Sequence, residues 1–109
     1  MVTKVTDQTM TEYTKSGLTI VDLWAPWCGP CLMMAPVVNE LEQEFKADIQ
    51  FVKLNIDENK ETALEYDVMS IPSFLLFKDG KAIEKVVGYH DKSEFSAYLS
   101  EKITQNKTV

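Results

Sequence analysis

Leu18-Thr19-Ile20-Val21-Asp22-Leu23-Trp24-Ala25 runs straight into Pro26-Trp27-Cys28-Gly29-Pro30-Cys31. The first eight residues are almost continuously apolar and rich in β-branched side chains, the pattern of a central strand covered on both faces. Beyond Cys31, Met34, Val37, Val38, Leu41 and Phe45 recur at helical spacing, with Glu40, Glu42, Gln43 and Glu44 between them. The strand therefore leads into an amphipathic helix, which Pro36 is expected to kink. Leu18 to Val38 is apolar enough to suggest a membrane span, but Asp22, Pro26, Gly29, Pro30 and Pro36 would charge and break it, so no membrane association is expected.

Working outward, Ile49 to Ile56 reads as a second buried strand. A short helix from about Asn59 to Tyr66 follows, with Asp57, Glu58 and Glu61 suited to its positive N-terminal end. Strand, helix, strand, helix is the grammar of parallel pairing. Phe74 to Phe77 and Ile83 to Val87 flank Lys78-Asp79-Gly80-Lys81, where Asp-Gly suits a two-residue hairpin turn, so this pair is antiparallel. Val2 to Val5 can form a short strand; Asp7 or Thr9 can cap a helix through about Lys15, and Gly17 stops it. The last helix starts at Asp91, which with Glu94 makes a capping box, and it buries Phe95, Tyr98, Leu99 and Ile103. Four or five strands and four helices give an α/β fold, a mixed sheet between helical layers.

The chain has 109 residues, 45% hydrophobic and 26% charged, so one domain spanning 1–109 with one core is expected. Seventeen acidic residues against eleven lysines give a net charge of −6, which disfavours nucleic acid as a partner. The opening residues Met1 to Asp7 hold no apolar secretory core, and the expected compartment is the cytoplasm.

The two cysteines are too few for a disulfide-built scaffold. As a staple, a bridge across so short a loop stabilises by only ~2 kcal/mol, against ~4.7 for a loop of about a hundred residues. A zinc site lacks ligands, because His90 is the sole histidine and no third cysteine exists, so no metal is expected. The C-x-x-C spacing at a strand-to-helix junction points to redox chemistry, with plain core cysteines as the alternative. Cys28 falls at or just before a helix N-terminus, where unpaired N–H groups and the helix dipole favour a thiolate, which makes it the candidate nucleophile. Cys31, one turn on and expected to be the more buried, is the candidate resolving thiol. Asp22 shares a strand face with Leu18, Ile20 and Trp24 and is expected to point inward, where burial raises its pKa. Pairing with Lys53 on the next strand for purely structural reasons is the alternative. His90 has no partner motif.

Val21 to Cys31, Ala35-Pro36, Lys53-Leu54-Asn55-Ile56-Asp57, Ser70-Ile71-Pro72, Phe77-Lys78-Asp79-Gly80 and Val87-Gly88, in this order and spacing, resemble the thioredoxin family over almost the whole chain. The resemblance implies a thioredoxin fold, a five-stranded mixed sheet flanked by four helices. It places Asp22 beneath Cys31 as proton acceptor, modulated by Lys53, with Trp27, Gly29, Pro30 and Pro72 shaping the site. Ile71-Pro72 resembles a cis-proline loop whose backbone meets an extended substrate. Trp27, Ile56, Ile71, Val87, Gly88 and Tyr89 are then the candidate substrate-binding rim around Cys28.

The implied activity is general protein-disulfide reduction by a monomer acting on disulfide-containing proteins and re-reduced by a thioredoxin reductase. NADPH and FAD would act through that reductase, with no cofactor on this chain. An oxidase or isomerase of the same fold is one alternative, disfavoured by Gly29-Pro30 and by the lack of a visible signal peptide; a non-enzymatic binding module is the other. One position departs from the family pattern: Leu32 stands where Lys or Arg usually follows the second cysteine.

Overall fold

The computed structural model describes residues 2–107; the extremes of the expected 1–109 domain lie outside them. In chain order the elements are β1 (Thr3–Val5), α1 (Met10–Thr14), β2 (Leu18–Trp24), α2 (Gly29–Phe45), β3 (Ile49–Asn55), α3 (Lys60–Glu65), β4 (Ser73–Lys78), β5 (Lys81–Val87) and α4 (Lys92–Gln105). One sheet runs β1-β3-β2-β4-β5, with the first three strands parallel and the last two antiparallel to their neighbours. It is the expected five-stranded mixed sheet with four helices.

β2 occupies the centre because it is apolar on both faces. Ile20 packs with Met34, Val38 and Leu41 of α2 and with Phe95 and Leu99 of α4. Val21 and Leu23, pointing the other way by strand alternation, pack with Met10 of α1, with Tyr13, and with Ala63 of α3. Asp22 belongs to the α2 face. Its register partner on β3 is Lys53, whose own partner on β1 is Lys4. The β4–β5 turn has Asp79 at φ 47 and Gly80 at φ 89, as a two-residue hairpin with the twist of its strands requires.

Two caps differ from their sequence readings. Thr9 precedes α1, but its hydroxyl accepts from the Thr6 amide at 2.9 Å instead of capping the helix. Asp7 does not serve α1 at all. Its carboxylate accepts from the amides of Glu61 and Thr62 at 3.2 and 3.0 Å and from the Thr62 hydroxyl, so it caps α3 across 54 residues of chain. Asn59 returns a bond, its side-chain oxygen accepting from the Asp7 amide at 2.9 Å. A local rule assigned Asp7 to the next helix in sequence; the fold brings a different helix end, with free N–H groups, within reach. At α4, Asp91 caps the Glu94 amide at 2.8 Å, but the other half of the box is missing because Glu94 bonds His90 instead.

Asp7→Ala is expected to lower stability by about 1–2 kcal/mol, the usual loss of a helix cap. The urea midpoint should fall with an unchanged slope; a midpoint equal to wild type would contradict the assignment.

Candidate active site

The sheet delivers the C-terminal end of β2 to the N-terminus of α2, and the turn between them holds both cysteines. Cys28 is the N-cap residue, with extended backbone at φ −88 and ψ 107, and Gly29 and Pro30 are the first two helical positions. Pro30 has no N–H to satisfy, and proline suits this turn. The next amide, that of Cys31, donates to Cys28 Sγ at 3.2 Å. A sulfur thus takes the place that a serine or aspartate oxygen commonly fills at a helix start. When reduced, a thiolate there gains both this N–H and the positive end of the α2 dipole.

Cys28 and Cys31 form a disulfide with Cα atoms 5.2 Å apart. Their burial corrects one expectation: Cys28 is 4% exposed and Cys31 5%, so the resolving candidate is not the deeper one. Ala25 clusters with the two cysteines, and Trp24, Ile56 and Ile71 pack against that cluster. The difference between them lies in what each faces. Cys28 Sγ lies 3.8 Å from the Ile71 carbonyl oxygen, and the Ile71–Pro72 peptide is cis with Pro72 buried. Cys31 lines a crevice of about 200 Å3 with Asp22, Trp24, Leu32, Ala35 and Lys53.

Asp22 is 7% exposed, and Oδ1 accepts no hydrogen bond. Burial in low dielectric raises its pKa from 3.8 to about 7, and the positive charge of Lys53 offsets only part of that rise. No ion pair joins the two side chains among the described residues; Lys53 Nζ stands 5.6 Å over the Trp24 ring, in cation–π contact. The purely structural Asp22–Lys53 bridge is therefore not formed.

The rim is uneven. Ile56 and Ile71 are half-buried against the cysteines, whereas Trp27, Val87 and Tyr89 are 67%, 49% and 45% exposed. Trp27 is held by its indole N–H, which donates to both Asp57 carboxylate oxygens at 3.1 and 3.0 Å, a tether the sequence reading missed. Gly88, at φ 92, donates to the Pro72 carbonyl at 2.8 Å and brings the end of β5 beside the cis-proline loop. His90, which the sequence left without a partner, bonds Glu94 through Nδ1 at 3.0 Å and the Val87 carbonyl through Nε2 at 3.1 Å. The hydrogen bond to Glu94 raises its pKa. A cavity of about 420 Å3 at the other end of the sheet, lined by residues such as Gly17, Lys46 and Gln50, includes no candidate site residue. Among the described residues, no cluster of three potential metal ligands occurs and no helix is long and apolar enough to cross a membrane.

The raised pKa of Asp22 fixes the sign of a stability effect. Between about pH 4 and 7 the folded state holds a proton that the unfolded state has released, so this group's contribution is present at low pH and lost as pH rises through 7. At about 1.4 kcal/mol per pH unit the gap is worth roughly 4 kcal/mol. Asp22→Asn is expected to gain stability relative to wild type as pH goes from 4 to 8, measured by denaturant unfolding of the oxidised forms. A pH-independent difference would contradict the burial of the charge.

Comparison with known proteins agrees with this geometry. The Thioredoxin family model matches residues 1–101. The thioredoxin of Bacillus subtilis (strain 168) is 44% identical over 102 residues, covering 94% of this chain and 98% of that protein. The thioredoxin of Staphylococcus aureus (strain Mu50) is 43% identical over 102 residues, with the same coverage. With its redox-active pair at the N-terminus of α2, the chain belongs to the thioredoxin family of protein-disulfide oxidoreductases.

Proposed function

We propose that this chain is a general reductase of protein disulfides, acting as a single-domain monomer in the cytoplasm. Cys28 thiolate attacks one sulfur of a substrate disulfide; a Cys28–substrate bond forms and the other substrate sulfur leaves as thiolate. Cys31 then gives its proton to the Asp22 carboxylate and attacks Cys28 Sγ, releasing the second substrate thiolate. Two electrons pass to the substrate, and the chain is left with the Cys28–Cys31 disulfide. A thioredoxin reductase carrying FAD and drawing on NADPH returns the two electrons, so the chain itself needs no cofactor.

The observation that carries this reading is the asymmetry around the disulfide: Cys28 Sγ caps α2 beside the Ile71 carbonyl, and Cys31 shares a crevice with a buried carboxylate whose Oδ1 has no hydrogen-bond partner. Ile71 offers backbone to an extended segment, with Trp27, Ile56, Val87, Gly88 and Tyr89 as its apolar surround. Gly29 and Pro30 set the cap geometry, Pro72 shapes the wall, and Lys53 tunes Asp22.

Cys31→Ser is expected to accumulate a mixed disulfide between Cys28 and a protein substrate, visible by non-reducing mass spectrometry, whereas Cys28→Ser is not. Trapping by the Cys28→Ser protein instead would reverse the roles. Leu32 is 53% exposed and borders the Cys31 crevice. Leu32→Lys should lower the Cys28 pKa, by less than about 1 pH unit because solvent screens the added charge. A thiolate titration midpoint that is unchanged or raised refutes this.

A further inference from the structure

Asp22 lines two separate crevices. The front one contains Cys31, Trp24 and Leu32; a second, of about 40 Å3, is lined by Val2, Val38 and Asn39. Ala35 and Lys53 border both. The second crevice has room for a single water, whose share of liquid volume is about 30 Å3. Asn39 and Lys53 supply its polar lining besides the carboxylate, and Oδ1 of Asp22 is a buried acceptor with no partner. Asn39 lies two helical turns beyond Cys31 on α2, about 12 Å along the axis.

That distance matters for the reaction. In the reaction proposed above, a protein docked over Cys28 and Cys31 would cover the front crevice while Asp22 accepts the Cys31 proton, and the proton would then need another exit. We propose that the rear crevice is a solvent port for Asp22, through which the proton leaves from beneath a docked substrate, and that Asn39 is the positioning residue at its mouth. The Asn39 amide would hold the water that solvates the carboxylate. Every element packed around Asp22 is consistent with so specific a dependence. β3 presents Lys53, α2 presents Ala35, Val38 and Asn39, and the chain before β1 presents Val2. The β4 register partner is Phe74. Lys53 is the one charge among these and borders both crevices, so Asn39 is the polar side chain particular to the port.

This proposal rests on Asp22 acting as the base, and the experiment separates the two claims. The resolving step is followed by single-turnover mixing of the reduced protein with a disulfide-bonded protein substrate, from pH 5.5 to 9. Asn39→Leu removes the neutral polar group at the mouth, Asn39→Asp adds a second carboxylate, and Asn39→Ser keeps a polar group at this exposed position. The first two should move the pH midpoint of resolution up by about 1 unit. The ionised fraction of Asp22 at pH 7 then falls from about half to about a tenth, a rate loss of roughly fivefold that disappears at pH 9. Asn39→Ser should keep the wild-type profile. If Asp22→Asn keeps the wild-type midpoint, the base reading fails. If Asp22→Asn abolishes that midpoint while Asn39→Leu and Asn39→Asp match wild type, the port alone is overturned.

Discussion

The 3.2 Å bond from the Cys31 amide to Cys28 Sγ makes a sulfur atom the cap of α2, and the surrounding structure holds that cap in place. An acceptor at this position answers one of the free N–H groups that every helix start carries. A thiolate answers it better than a thiol, because the helix end is electropositive. The same geometry thus completes a helix and favours a thiolate at Cys28. It depends on α2 being fixed relative to the sheet, which Met34, Val38 and Leu41 achieve by packing against β2. The cis-proline loop sets the Ile71 carbonyl oxygen 3.8 Å from the same sulfur.

A second constraint runs against stability. The central strand would be better packed with an apolar residue where Asp22 stands, and the fold neither exposes that carboxylate nor gives Oδ1 a partner. Lys53 is its neighbour in the β2–β3 register, yet lies over Trp24 instead of closing an ion pair. The carboxyl is therefore held near neutrality, where small changes in pH alter its charge. A structural salt bridge would have pulled its pKa down and removed that poise.

Much of this was legible in the sequence because it is written in local patterns. The apolar run of β2, the helical spacing of α2 and the Asp79-Gly80 turn each identify an element without knowledge of the rest. The inward Asp22 followed from strand alternation, and Cys28 at the helix start from the strand-to-helix change of period. What was missed is carried by long-range contacts that no local pattern encodes. Asp7 caps a helix 54 positions away, Trp27 bonds Asp57, and His90 takes Glu94 from the expected capping box. The relative depth of the cysteines was also misjudged, since Ile56 and Ile71 come from distant segments to pack against the cluster that holds both.

The central claim is that the helix cap divides the labour between two equally buried cysteines. It is tested most directly by titrating the individual thiols of the reduced protein, following the Cβ carbon shift of each cysteine by NMR. Cys28 should ionise first, below the ~8.5 of a free cysteine, with Cys31 titrating above it. Ionisation of Cys31 before Cys28, or a Cys28 midpoint at or above the free value, would contradict it.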